Sequence, residues 1–117
     1  ENANKKYKDT LFFCTNILDD NFQERYDYLL AAGTFNLLSD DISYPLDYLK
    51  MVIRKMFLLC HKGISLSFKT VVTSEDKSQG FVAYDPVDIL DFALSLSRFA
   101  TLNHSFSSSV AVLYLYK

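Results

Sequence analysis

Hydrophobic positions in the first half of the chain recur every three or four residues, the spacing that lines one face of a helix. Tyr7, Leu11, Cys14 and Leu18 predict a first helix over 5–18, with Phe12 and Phe13 widening its stripe. Phe22, Tyr26, Leu29, Leu30 and Leu37 predict a second over about 21–38. Asp20 with Gln23, or Asn21 with Glu24, supplies that helix with a capping box, in which cap and third-position side chains satisfy unpaired backbone donors. Gly33 is its weak interior point, and Ser39-Asp40-Asp41 closes it. The third helix is the clearest. Pro45 suits its first turn, where a missing N–H costs nothing. Leu46, Leu49, Ile53, Met56, Phe57 and Cys60 mark its inner face, and Lys50, Arg54 and Lys55 a wetter one. His61 and Lys62 sit where the helix dipole favours a cation, and Gly63 is a natural terminator.

After Gly63 the period changes to two. Ile64, Leu66, Phe68, Thr70 and Val72 alternate with Ser65, Ser67, Lys69 and Val71, the pattern of a strand with one core face. Thr73 to Gly80 is polar and turn-like, so Phe81–Tyr84 returns as a short partner strand. Asp85-Pro86 opens a further helix with Asp88 at the box position and Val87, Leu90, Leu94 and Phe99 on its apolar face. Asn103–Ser109 is a Ser-rich connection. Val110–Tyr116 reads either as a strand, through Val110, Val112, Tyr114 and Tyr116, or as the end of a buried helix. The expected architecture is α+β: one helix-rich compact domain over 1–117, with a small antiparallel sheet beside a helical layer. An all-α bundle is the alternative. No internal repeat or linker interrupts the chain.

Composition agrees with a single domain. At 117 residues there is room for one core, and half the residues are hydrophobic. Ten Phe and eight Tyr make that core aromatic, and any buried tyrosine needs a partner for its hydroxyl. No apolar run reaches membrane-spanning length. Cys14 and Cys60 are too few for a disulfide framework and read as buried small hydrophobes, although a bond between them is open if their helices touch. Asn103-His104-Ser105 fits the glycosylation pattern.

Candidate chemistry is thin. His61 is adjacent to Cys60, so on a helix the two side chains point about 100° apart and form no nucleophile–base pair. His104 lies among Ser105, Ser107, Ser108 and Ser109, which reads as ordinary loop composition. Two Cys and two His without a C-x-x-C arrangement do not build a zinc site, and Asp19, Asp20, Glu24 and Asp27 lack the calcium-loop arrangement and its glycine. Asp85, Asp88 and Asp91 share a helix face and could serve a hydrolase, but two of them already have capping roles. Gly33, Gly63 and Gly80 are too scattered to cradle phosphate. No catalytic residue, metal or cofactor is expected; a small hydrolase of unfamiliar type stays open as a minor alternative.

Charge carries more information. Between Asp9 and Asp47 stand eight acidic residues against Arg25 alone, a net −7; between Tyr48 and Val72 stand five basic residues and no acidic one. Either the two blocks neutralise one another within the fold, or the acidic block faces a basic partner and speeds encounter with it. A compact acidic protein with tyrosine anchors can occupy the electropositive groove of a nuclease. In size, lack of catalytic apparatus and charge pattern the chain resembles bacterial toxin-immunity proteins, including those paired with contact-dependent growth-inhibition toxins. The resemblance implies a cytoplasmic inhibitor that occludes the active site of a cognate toxic enzyme, with no direct contact to nucleic acid or membrane. The residues expected at the contact are Asp19, Asp20, Glu24, Asp27, Tyr28, Asp40, Asp41, Tyr44 and Asp47. A non-catalytic oligomeric or adaptor subunit is the alternative reading.

Overall fold

A computed structural model describes residues 5–12, 15–35, 43–70 and 82–117. Its named elements, in chain order, are β1 (Tyr26–Ala31), α1 (Pro45–Leu59), β2 (Cys60–Lys69), α2 (Pro86–Leu96), β3 (Phe99–Asn103) and β4 (Val110–Tyr116). The strands form one mixed sheet in the order β1-β2-β4-β3. β1 and β2 are parallel, joined through α1, while β4 lies antiparallel to both β2 and β3. This corrects the expected architecture: the domain is α+β but not helix-rich, the sheet is mixed rather than small and antiparallel, and an all-α bundle is excluded. The four strands hold more residues than the two helices.

α1 forms as its pattern demands. Pro45 occupies the first turn, and Leu49, Val52, Ile53, Met56 and Leu59 are buried at helical spacing. Its end differs from expectation: Cys60 is already extended, and the chain runs directly into β2. His61, Lys62 and Gly63 therefore belong to a strand and not to a helix terminus. In β2, Ile64, Leu66 and Phe68 face inward opposite Leu115, Leu113 and Ala111 of β4. Both helices cover this inner face, with Ile89 and Ala93 of α2 joining the same core. Each fully buried Leu, Ile or Phe contributes about 1.5–3 kcal/mol of hydrophobic stabilisation. The opposite face carries Tyr28 and Leu30 from β1, Ser65 and Ser67 from β2, Val112, Tyr114 and Tyr116 from β4, and Phe99 and Thr101 from β3. No helix of the described residues lies over it.

Several local expectations change. Residues 7–12 and 15–25 carry neither helix nor strand, so the first predicted helix is absent there; Phe13 and Cys14 lie outside the described residues. The expected second helix is replaced by β1, followed by Gly33 at φ +68, whose N–H donates to Ser67 Oγ at 3.0 Å. The capping box expected from Asp20 with Gln23 or Asn21 with Glu24 caps no helix: Gln23 Nε2 donates to the Asp20 carbonyl at 2.6 Å, and the Asp19 carboxylate accepts the Asn21 N–H at 2.9 Å in a short side-chain turn. Tyr84 makes one isolated parallel bridge to Thr70, not an antiparallel return, and Phe81 lies outside the described residues. Asp85 caps α2 as expected, accepting the Val87 N–H at 2.9 Å. The inward face of α2 is Ile89 and Ala93, however, leaving Val87 69% and Leu94 50% exposed. Phe99 lies in β3, and Val110–Tyr116 is a strand whose buried residues are Ala111, Leu113 and Leu115.

Among the described residues, the buried side-chain nitrogen and oxygen atoms all have hydrogen-bond partners. The Tyr84 hydroxyl donates to Phe35 O at 3.1 Å, and burial holds its pKa above the usual tyrosine value. The Cys60 thiol is free, donates to Phe57 O at 3.2 Å and is also pushed up, chiefly by burial. Cys14 falls outside the described residues.

Candidate interaction surface

The most distinctive surface lies along β1. Its side chains alternate: Leu29 and Ala31 pack toward the core, while Tyr28 and Leu30 point to the open sheet face, Leu30 being 78% exposed. Among the described residues, β1 is the end strand of the sheet and pairs only with β2. The register shifts between Tyr26 and Tyr28 and is regular from Tyr28 to Ala31. Among the described residues, no backbone group outside β2 bonds to β1. An edge strand of this kind presents unpaired N–H and C=O groups to any strand that approaches.

Beside that edge runs an apolar groove of about 500 Å³. It is lined by Tyr26, Leu29, Leu30 and Ala31 of β1, by Tyr48, Val52 and Met56 of α1, and by Ile17 and Phe22 of the leading segment. Val52 and Met56 line the groove and also belong to the core.

The acidic residues expected at the contact do not all gather. Asp19, Asp20 and Glu24 lie in the turn segment leading into β1, and Asp27 and Tyr28 on the strand itself; all five are exposed. Glu24 accepts a hydrogen bond from the Tyr26 hydroxyl at 2.6 Å, which with burial and the carboxylate's charge raises the Tyr26 pKa. Tyr44 and Asp47 are exposed at the other end of α1. α1 ends beside the start of β1, where Cys60 pairs with Tyr26, so Tyr44 and Asp47 stand at the opposite end of the helix from that point. Asp40 and Asp41 lie outside the described residues.

The basic block is largely engaged in packing. Lys50 and Arg54 stand over the Phe92 ring at 5.6 and 5.4 Å, tying α1 to α2. Lys55 Nζ donates to the backbone carbonyl of Asp19 at 3.4 Å, and Arg25 to that of Cys60. Lys62 lies 4.0 Å from Asp27 and over the Tyr28 ring at 6.0 Å. That ion pair is exposed on both sides and worth little. Asp19, Asp20 and Glu24 thus keep their carboxylates without an ion pair among the described residues. Three cations nonetheless share their end of the sheet.

The remaining candidate chemistry dissolves into structure. His104 Nε2 lies 2.7 Å from the hydroxyl of buried Thr70, not against a serine. Ser105 bonds Asn103, and Ser107 approaches Ser109. His61 is exposed on β2, away from any nucleophile contact. Among the described residues no cluster of three His, Cys, Asp or Glu could hold a metal, and no helix is long and apolar enough to cross a membrane.

Sequence reasoning missed the edge strand and the groove. The available signal was Tyr26 and Tyr28 alternating across Asp27, a strand-like trio inside a helical rhythm. The chain matches no family model, no curated protein and no solved structure.

Proposed function

We propose that this domain is a non-catalytic protein-binding module that inhibits a basic partner enzyme, a nuclease-type toxin being the form the charge pattern favours. The observation that carries this reading is the exposure of Asp19, Asp20, Glu24, Asp27, Tyr26 and Tyr28 together at the start of a free edge strand. Carboxylates there attract cationic groups over distances of the order of the Debye length, and tyrosines supply contact area with little entropy to lose. A cytoplasmic site of action follows from the same reading, because such an inhibitor meets its enzyme where the enzyme would act.

Affinity capture from the native host, followed by association kinetics with the captured protein, tests it. Replacing Asp19, Asp20 and Asp27 with Asn and Glu24 with Gln should slow association about tenfold or more at low salt and much less at high salt. An unchanged association rate, or a captured partner with an acidic contact face, would overturn the reading.

A further inference from the structure

We infer that the partner engages this domain by strand addition: an extended segment pairs with the free edge of β1 as a fifth strand. The segment carries apolar side chains at alternate positions and a basic residue at the end beside Glu24. This rests on the protein-binding reading above and specifies its geometry.

Three features converge on one occupant. The regular stretch Tyr28–Ala31 has its outer backbone groups unpaired among the described residues, and another extended main chain satisfies such a row. The groove flanks that edge and is shared with α1, so alternate side chains of an added strand would meet Tyr48, Val52 and Met56. The intervening side chains would lie beside Tyr28 and Leu30 on the open face. Charge then sets direction. At the start of β1, Arg25 and Lys55 are taken up by backbone carbonyls and Lys62 by Asp27, which leaves Asp19, Asp20 and Glu24 without an ion pair among the described residues, whereas Ala31, Ala32, Gly33, Thr34 and Phe35 at its end carry no charge. A free helix or a small apolar molecule could fill the groove but would leave the edge unpaired. The shift between Tyr26 and Tyr28 confines regular pairing to the second half of the strand.

The test is selection of a phage-displayed library of short random peptides on the intact domain, with binding mapped by amide and methyl chemical shifts. Selected peptides should alternate apolar and polar residues, carry Lys or Arg at one end, and shift Tyr28–Ala31, Val52 and Met56. Two N-methylated versions of the best peptide decide the geometry, since only alternate N–H groups of an added strand face β1. One series should bind about tenfold more weakly or worse, and the other nearly unchanged. Thr34→Trp, at the exposed groove rim, should block binding while leaving the fold's spectrum intact. Selection of no peptide, peptides with helical periodicity, shifts centred on Phe99, Tyr114 and Tyr116, equal tolerance of both methylated series, or unchanged binding to the Thr34→Trp variant would each overturn strand addition. Loss of the charge effect with strand addition intact would instead overturn the basic-partner reading alone.

Discussion

The ring of Tyr116 rests against the bare backbone of Gly63. A Cβ at position 63 would stand 2.9 Å from Tyr116 Cδ1 and 2.9 Å from the carbonyl oxygen of Leu115. The two residues are register partners in a row that crosses the whole sheet, Tyr28–Gly63–Tyr116–Phe99. Gly63 is therefore a site of close approach in a strand, and it leaves room for an aromatic ring between two others on the open face.

Gly63→Ala should destabilise the domain by about 1–3 kcal/mol, because a ring can swing aside but a ladder carbonyl cannot. Chemical denaturation measures this. Adding Tyr116→Ala should recover only part of the loss, since the Leu115 carbonyl stays in place. A neutral Gly63→Ala would show that the strands are spaced more widely at this row.

Thr70 is fully buried, and its hydroxyl is paired with His104. His104→Ala should cost about 1–3 kcal/mol by leaving that hydroxyl without a partner, whereas Thr70→Val combined with His104→Ala should cost less than the two single changes together. Additive losses in the double-mutant cycle would argue against the contact.

Tyr84 offers a pH test. Its folded pKa is raised from 10.0 by burial, so the stability it contributes is complete below the ordinary tyrosine value and is lost as pH rises through the folded one. The natural chain should lose stability above about pH 10 more steeply than Tyr84→Phe. At neutral pH the same substitution should cost about 1 kcal/mol, through the lost bond to Phe35 O. Parallel profiles for the two proteins would contradict the assignment.

Asp85→Ala should cost about 1 kcal/mol and fray the first turn of α2, because the Val87 N–H loses its acceptor. Amide exchange at the start of α2 would report it directly, and unchanged exchange there would count against the cap.

How far the sequence foretold this molecule depended on whether local pattern or distant pairing decided each element. α1 was legible because Pro45 and the Leu49, Ile53, Met56 stripe agree, and β2 because Ile64, Leu66 and Phe68 alternate strictly. β1 was not, since Tyr26, Leu29 and Leu30 fit a helical rhythm equally well, and pairing with β2 outweighs it. In β4 an unbroken apolar run has no intrinsic parity; the core selects Ala111, Leu113 and Leu115 and sends Val112, Tyr114 and Tyr116 outward. The same ambiguity hid the inward face of α2. The carboxylates of the interaction surface were visible as a charge block, but its division between two ends of α1 is a consequence of topology. The groove joins residues as distant as Phe22 and Met56, which no local window can bring together.

Amide hydrogen exchange on the domain, alone and with its captured partner, tests the central claim most directly. Strand addition predicts new protection at alternate amides within Tyr28–Ala31, with little change at Phe99, Thr101 and Tyr114. Protection on those open-face strands with β1 unaltered would contradict it.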